Sequence, residues 1–482
     1  DVAPSRGLGD VYKRQLLDQW IESRYNYTTY SDNHDLLLYN SYSGVCYKVN
    51  GEDQAYILEI LSSEEFRKSH VIPEELITGG FLIPIYADED RMLEDLFEQS
   101  KSSSLLELCI IPTEQCNFRC QYCFELLENA PKGIMSEEIQ DAVVRYVYQK
   151  LPRYQGLQVT FFGGEPLLAM SAVRRLSRMF MEACKAMHKF YSAVIVTNGY
   201  LLTKDIFEEL LSYRVIYYQI TLDGCKDTHD AQRYLIDKRG SFERITKNLR
   251  DIRSGFPRKH FTIAIRTNVT KAFLCEMQGY VDFISQLIDG DKRFKIYFVR
   301  AEDYDGSISE QAKDILLDKE SRSKYDDLLL CEKMMDLLPD NQLIESAFFE
   351  NRLRPLYGMC GYMKDDCIAV SVTGKVYKCG TFFQGKPDLS VGQVENGKIT
   401  INMYKKSKWQ MHLSQFDERC GGCLIRPVCL VPYCIYWNYM DNYVTPGRFR
   451  KTTCSYREKR GWDKILKLYD RYGGVKQLHV NK

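Results

Sequence analysis

The 482-residue sequence carries no net charge, because 65 acidic side chains balance 65 basic ones. It therefore lacks the long-range positive field that drives non-specific nucleic-acid binding, and no nucleic-acid partner is expected. Long hydrophobic runs are missing too: no segment approaches the roughly 18 unbroken apolar residues that a membrane helix requires. The best run, Leu105 to Ile111, is interrupted by Glu107 and reads as a buried strand. No membrane partner is expected, and the expected location is the cytoplasm. No internal repeat of solenoid period is present. The first fifteen residues, DVAPSRGLGDVYKRQ, have no starting Met and no apolar core of signal-peptide length. They resemble translated sequencing-adapter sequence, so residues 1–15 are set aside as a non-native segment. With 45% apolar and 27% charged residues, neither disorder nor a collagen-like structure fits. What is present is cysteine, 17 of them. The chain is far too long and too sparse in cysteine for a disulfide scaffold. Clustered cysteines in a large chain point instead to metal binding in a reducing compartment.

At roughly 100–200 residues per domain, this length predicts two to four domains. Residues 16–100 read as one small module. Leu36–Tyr39 and Val45–Val49 flank a turn at Ser41–Gly44 and predict a hairpin. A helix follows, with Ile57, Ile60 and Leu61 on one face. Pro73 opens another helix, Gly79-Gly80 ends it, and Phe81–Ile83 is a short strand. This is a winged-helix-like pattern. The acidic stretch Asp88–Glu98 and Ser102-Ser103-Ser104 read as a linker. From 105 to 305, strands at 106–111, 158–162, 193–197, 217–222, 262–267 and 295–299 alternate with helices at 136–150, 168–188, 203–213, 242–254 and 272–288. The alternation predicts α/β architecture: parallel β/α units forming a partial (β/α)6 barrel of TIM type. In such folds ligands sit at the C-terminal strand ends. Residues 306–355 read as a helical bridge. Residues 356–482 are coil-rich, with so little periodicity that something must cross-link them.

Directly after the first barrel strand comes Cys116-x3-Cys120-x2-Cys123. Three cysteines within eight residues can bring three thiolates around one centre. Zinc sites usually pair cysteines as CxxC and want a fourth ligand nearby. Three thiolates on a four-iron cubane leave one iron open to another ligand. Gly163-Gly164-Glu165-Pro166 follows the second strand, Thr197-Asn198-Gly199 the third, and Thr221-Leu222-Asp223-Gly224 ends the fourth. His229, Asp230 and Arg233 come next.

In this combination the chain resembles the radical SAM enzymes. Their signature has the same cysteine spacing with an aromatic before the last cysteine, and Tyr122 fills that position. The resemblance implies that Cys116, Cys120 and Cys123 hold a [4Fe–4S] cluster whose open iron is chelated by S-adenosylmethionine. It implies that Gly163, Gly164 and Glu165 receive the amino group of that molecule, as glycines allow close backbone approach and a carboxylate pairs with an ammonium. Tyr122, Thr197, Asn198, Thr221 and Arg233 match further cofactor-binding positions, and an arginine suits a carboxylate. Arg266 and Asn268 resemble another run of the family or are polar residues lining the barrel.

Eight more cysteines lie between 360 and 454: Cys360-x13-Gly374-x4-Cys379, then Cys420-x2-Cys423-x5-Cys429-x4-Cys434 and Cys454, with Cys367 inside the first interval. This resembles the SPASM extension of peptide-modifying radical SAM enzymes, with four residues where three are usual before Cys434. By that resemblance Cys360, Cys367, Cys379 and Cys434 hold one auxiliary [4Fe–4S] cluster, and Cys420, Cys423, Cys429 and Cys454 a second. Cys46, Cys109, Cys184, Cys225, Cys275 and Cys331 are scattered, as ordinary thiols are.

The implied chemistry is one-electron cleavage of S-adenosylmethionine and hydrogen abstraction from an unactivated carbon. The expected enzyme is a radical SAM oxidoreductase that matures a ribosomally made precursor peptide, forming a thioether or another side-chain cross-link. The leader of that peptide would be read by the N-terminal module, and a flavodoxin or ferredoxin would supply electrons. Alternatives are carbon–carbon cross-linking or epimerisation, formylglycine formation on a sulfatase, and a non-catalytic iron–sulfur protein. Sulfatase maturases carry a catalytic Asp after the third auxiliary cysteine, whereas Gly380 follows Cys379 here. No general base is evident, although His229 and Asp223 are candidates by position.

Overall fold

The computed structural model describes residues 19–123, 131, 133–301, 313–318, 327–338, 340, 343–346, 349, 352–355, 361–381, 387–410, 422–428, 436, 439–444 and 459–480. The segment 1–15 lies outside them. The chain divides into two units: residues 1–101 with 347–360 and 411–482, and residues 102–346 with 361–410.

The first unit opens with β1 (Trp20–Glu22), then a meander of β2 (Asn26–Tyr30), β3 (Leu36–Asn40) and β4 (Val45–Val49), paired antiparallel in that order. The expected hairpin is therefore present. Its turn is set by Asn40, whose side-chain oxygen accepts from the backbone N–H of Tyr42 (3.1 Å) and Ser43 (2.9 Å), and by Gly44 at φ +74°. The sequence reading missed β2, although Tyr27-Thr28-Thr29-Tyr30 has the β-branched and aromatic character of a strand. Helices α1 (Gln54–Ser62), α2 (Glu64–Ser69) and α3 (Glu74–Thr78) follow. Ile57, Ile60 and Leu61 of α1 pack with Leu36, Leu38, Val49 and Phe81. Each such aliphatic side chain contributes about 1.5–3 kcal/mol on full burial. After Gly80, at φ +77°, β5 (Leu82–Pro84) pairs antiparallel with β1. The acidic stretch read as a linker is α4 (Glu89–Ser100), capped by the Asp88 carboxylate and burying Leu93 and Phe97.

The second unit contains all six expected parallel strands: β6 (Leu105–Ile110), β7 (Gly156–Phe161), β8 (Phe190–Thr197), β9 (Val215–Thr221), β10 (Thr262–Val269) and β11 (Phe294–Arg300). They lie side by side in chain order, so every crossover is between neighbours. The helices between them are α5 (Glu137–Lys150), α6 (Met170–Ala186), α7 (Lys204–Ser212), α8 (Lys226–Gln232), α9 (Phe242–Gly255) and α10 (Lys271–Ile288). Ser136, Thr203 and Thr270 start α5, α7 and α10 by accepting from a backbone N–H three residues on. Each satisfied cap contributes about 1 kcal/mol.

Among the described residues β10 is the one strand paired with β11, whose outer edge carries just a single parallel bridge from Ile296 to Ile344, so the parallel sheet stays open there. Beyond it lies α11 (Asp327–Leu337), the described helix of the 306–355 bridge. At the other edge the sheet grows instead of closing. β12 (Ile368–Val370) adds parallel to β6, and β13 (Lys375–Tyr377), β14 (Gly392–Glu395) and β15 (Lys398–Ile401) continue it antiparallel to ten strands. Part of the stretch expected to be coil is thus strand, held by pairing as well as by side chains. Asp366, missed from sequence, fastens this extension to α5 by accepting from Lys150 Nζ (2.9 Å), Arg153 Nη2 (3.0 Å) and the Tyr154 hydroxyl (2.9 Å). The short α12 (Met403–Ser407) ends this part.

The chain then returns to the first unit. In α13 (Lys459–Arg471), Trp462 stacks on Tyr39 at 5.8 Å, Asp463 accepts from the Tyr27 hydroxyl (2.8 Å), and Asp470 pairs with Lys48 (2.6 Å). β16 (Lys476–Gln477) then adds parallel to β4, giving the order β16-β4-β3-β2. Among the described residues no helix is long and apolar enough to cross a membrane.

Candidate functional site

The site forms where the six parallel strands end. After β6 the chain runs through Thr113–Cys123 across the strand ends, and the Gly163-Gly164 turn after β7 backs directly onto it. Gly163 has φ +114°, and a Cβ there would meet Ile111 Cγ2 and the Thr113 carbonyl oxygen at 2.6 Å. A Cβ at Gly164 would lie 2.3 Å from the Gln115 carbonyl oxygen. Two backbone bonds use that closeness, Gly164 N to Thr113 O (3.3 Å) and Glu165 N to Gln115 O (2.8 Å). Glycine is required here because the cysteine loop leaves no room for a side chain.

Glu165 is fully buried. One carboxylate oxygen accepts from Leu167 N (3.0 Å) and the Thr197 hydroxyl (2.8 Å), and the other from Asn198 N (2.8 Å). Burial pushes its carboxyl up against the pull of these donors. Glu165 therefore locks the end of β8 to the turn after β7. Asn198, fixed in this way, donates to Asn117 Oδ1 (2.8 Å) and reaches the Cys116 sulfur at 3.8 Å; Phe118 N donates to the same sulfur at 3.4 Å.

A second network ties the last motif cysteine to β9 and β10. The Tyr122 hydroxyl donates to Asp223 and accepts from Arg233 Nη1 (2.8 Å) and Asn268 Nδ2 (3.1 Å). Asp223, with no exposed surface, also accepts from Asn268 N (2.7 Å) and pairs with Arg233 at 3.7 Å. Burial pushes the Asp223 carboxyl up, and the Arg233 guanidinium pulls it back. Arg233 Nε is buried and has no hydrogen-bond partner among the described residues.

His229 sits behind this network rather than at its mouth. Its Nδ1 accepts from Asp223 N (3.1 Å), and its Nε2 faces the Ser241 hydroxyl (3.0 Å), which itself donates to the Arg233 carbonyl (2.7 Å). These partners fix one neutral tautomer. Burial, aided by Arg233, lowers its pKa to about 3. The unfolded chain binds this proton below about pH 6.5 and the folded chain does not. The resulting stability is complete above that pH and is lost as pH falls, at up to about 1.4 kcal/mol per pH unit. With ¹⁵N-histidine labelling, the His229 imidazole is expected to stay neutral at pH 5, and His229→Gln is expected to delete that resonance. Titration of that resonance near pH 6.5 would contradict this arrangement.

A cavity of about 410 Å³ opens at the strand ends. Its walls bring together Cys116, Cys120, Tyr122, Cys123, Gly163, Gly164, Thr197, Asn198, Thr221 and Arg233. Only Glu165, among the proposed cofactor contacts, stands behind the wall. The cavity also takes in Arg266 and Asn268, together with Gln219, Arg300 and Thr381, which the sequence reading did not single out. Gln219 with Thr221 and Arg266 with Asn268 are polar pairs two residues apart, which puts both members on one face of each strand. That period is the signal that marks Gln219. Three arginines, one with a buried unpartnered nitrogen, suit an anionic carboxylate, and three half-exposed thiols suit a thiolate-bound cluster. The residues present therefore fit a cluster with S-adenosylmethionine. Among the described residues no three His, Cys, Asp or Glu converge tightly enough to hold a metal ion, so the thiols share a cavity rather than a point.

Cys367 and Cys379 are both buried, and Cys423 is half-buried. The buried Tyr362 hydroxyl hydrogen-bonds Cys109 and interacts with Cys367 and Cys379, so Cys109 is closer to these cysteines than its isolation in sequence suggests. Cys360, Cys420, Cys429, Cys434 and Cys454 lie outside the described residues. A second cavity, about 690 Å³, opens at the opposite strand ends beside Phe190, Arg214 and Ile216, away from every motif.

Residues 110–272 match the family model of the Radical SAM superfamily. The chain is 23% identical over 356 residues to the cysteine-type anaerobic sulfatase-maturating enzyme of Clostridium novyi (strain NT), covering 67% of this chain and 86% of that protein. It is 26% identical over 225 residues to the radical SAM cyclopropyl synthase TigE of Paramaledivibacter caminithermalis, covering 44% of this chain and 43% of that one. The structure of native anSMEcpe with bound AdoMet and Cp18Cys peptide is similar in fold, with a TM-score of 0.53 at 17% identity, covering 76% of this chain and 98% of that one. A radical SAM domain implies a SAM-binding [4Fe–4S] cluster and S-adenosylmethionine. The open parallel sheet, the cavity at its strand ends and the family match agree: the chain carries a Radical SAM superfamily domain and is an enzyme of that superfamily.

Proposed function

We propose that this enzyme matures a ribosomally made precursor peptide by forming a thioether between a cysteine sulfur and a carbon. Cys116, Cys120 and Cys123 would hold the SAM-binding cluster, and the eight cysteines from Cys360 to Cys454 would hold two auxiliary [4Fe–4S] clusters. When bound, the cluster and S-adenosylmethionine supply a radical able to take hydrogen from an unactivated carbon. The chain's own residues orient and shield. Arg233 and Thr221 receive the methionyl carboxylate, while Gly163 and Gly164 let backbone carbonyls approach the ammonium. Glu165 holds Thr197 and Asn198 in place rather than facing the cavity, and the Tyr122–Asp223–Asn268 network keeps the cysteine loop against β9 and β10.

The observation that carries this reading is at Gly380. A Cβ there would lie 1.9 Å from the Tyr362 hydroxyl and 3.1 Å from the Cys109 sulfur. At the position that holds a catalytic Asp in sulfatase maturases, a side chain would have to displace the Tyr362 hydroxyl. The N-terminal meander with three following helices also supports a peptide-reading module. The second reading is formylglycine formation, and it is favoured by the similarity to the Clostridium novyi enzyme over most of that enzyme's length.

The test is anaerobic. The protein is reconstituted and given reductant, S-adenosylmethionine and a leader-bearing candidate peptide, and the product is mapped by tandem mass spectrometry. Loss of two hydrogens with a mapped Cys-to-carbon bond is expected. Formylglycine on a sulfatase-derived peptide would overturn the thioether reading and establish the second.

A further inference from the structure

Two cavity arginines differ in what holds them. Arg233 is engaged by Asp223 and the Tyr122 hydroxyl, whereas Arg266 has no ion pair among the described residues. Arg266 stands in a row with Thr221 and Tyr297, where β9, β10 and β11 pair in register. One layer deeper, on the same faces, are Gln219, Ala264 and Lys295. The Tyr297 hydroxyl donates to Gln219 Oε1 at 2.8 Å, crossing β10 where that strand carries only Ala264, and so lays a polar floor beside Arg266. Arg266 Nε donates to Asn268 Oδ1 (3.1 Å), and its other neighbour is the Tyr297 hydroxyl. Both partners are neutral. Glu345 is engaged further down, where it accepts from the Tyr217 hydroxyl (3.2 Å) and attracts Lys295. A half-buried guanidinium without a counter-ion is costly, and a carboxylate arriving from outside the chain would offset that cost.

We propose that Arg266 is a specificity-determining residue that receives a carboxylate of the peptide substrate, from an acidic side chain or from the peptide's C-terminus, beside the floor made by Tyr297 and Gln219. This rests on the reading of the substrate as a peptide. The competing anion is the methionyl carboxylate of S-adenosylmethionine, and position separates the two. By the family resemblance that carboxylate stays beside the cysteine loop, and there Arg233 is the cation attracted to Cys120. Arg266 is held instead by Asn268 and Tyr297, on the β10–β11 side of the cavity. With Nε engaged, its two terminal nitrogens form the fork that a carboxylate fits with two parallel hydrogen bonds.

The probes are short peptides titrated calorimetrically into the reconstituted full-length chain with S-adenosylmethionine bound. Acetyl-Ala-Glu-Ala-amide offers a side-chain carboxylate, acetyl-Ala-Gln-Ala a C-terminal one, and acetyl-Ala-Gln-Ala-amide none. At least one carboxylate peptide is expected to bind about tenfold or more tightly than the neutral one, and the tighter of the two names the source. Arg266→Gln is expected to erase that preference and Arg266→Lys to keep part of it. Equal binding of all three peptides to the wild-type chain would overturn the proposal, as would a preference that survives Arg266→Gln. Phenylglyoxal labelling of the wild-type chain, mapped by mass spectrometry, tests the same site even if the variants fail to fold. The preferred peptide is expected to protect Arg266. Protection by S-adenosylmethionine alone, with none added by the peptide, would give Arg266 to the cofactor and overturn the proposal. The maturation assay is scored separately. A carboxylate preference without any peptide product would sink the maturation reading and leave the carboxylate site standing, whereas a thioether product with no such preference would do the reverse.

Discussion

Replacing Cys116, Cys120 and Cys123 together with alanine is expected to lower the iron content from about twelve to about eight per chain, the difference being one cubane. The three thiols are half-exposed in the cavity wall and contribute little buried area, so the variant is expected to stay folded. What it loses is the group that makes the cavity reactive, so 5′-deoxyadenosine is expected to fall to background. Cys184→Ala is the matched control: Cys184 is buried in α6, and iron content and turnover are expected to stay unchanged. Twelve irons retained by the triple variant would remove these cysteines from the proposed ligand set. About four irons in the wild-type chain would remove the two auxiliary clusters instead.

Glu165→Gln tests the other half of the site. Resemblance alone gives this carboxylate to the ammonium of S-adenosylmethionine, whereas the structure gives both oxygens to protein donors. An amide NH₂ must face either Asn198 N or the Leu167 N and Thr197 hydroxyl pair, leaving donors buried against a donor. One unsatisfied buried group costs about 1–3 kcal/mol, and this should appear as lost unfolding free energy even without ligand. Affinity for S-adenosylmethionine should also weaken, because Asn198 and its contact with the Cys116 sulfur lose their anchor. A variant as stable as wild type but impaired in binding would return Glu165 to direct contact with the cofactor.

The contrast at Glu165 shows where sequence was informative. The six strands and five of the helices between them were readable because each buries a repeating apolar face, so periodicity carries the information, whereas α8, which buries His229 and Gln232 instead, was missed. The cysteine loop and Gly163-Gly164 were readable as cavity residues because each directly follows a strand, whereas Thr221 ends β9 and Arg233 follows α8. What the motifs did not carry was the division of labour among them. Only geometry shows that Glu165 faces away from the cavity and that His229 is pinned as a neutral hydrogen-bonding spacer. Arg300 was missed because an isolated polar residue at a strand end has no distinctive spacing until the neighbouring strands are known, and Gln219 because its two-residue spacing from Thr221 was not followed. The extension of the sheet by β12 to β15 was hidden for a related reason. Three- and four-residue strands such as Ile368–Val370 are too short for a period, and they form because β6 offers an edge. Likewise, β16 could not be read from two exposed residues, since its anchor Leu478 is meaningful only beside a core formed more than four hundred residues earlier.

The central claim is that the cavity at the ends of β6 to β11 binds S-adenosylmethionine and cleaves it reductively. Its most direct test is an anaerobic assay of the reconstituted chain with dithionite and S-adenosylmethionine, read by chromatography for 5′-deoxyadenosine. The account predicts 5′-deoxyadenosine well above background from the wild-type chain and none from the chain lacking Cys116, Cys120 and Cys123. A wild-type preparation with its full iron content that releases no 5′-deoxyadenosine would contradict it.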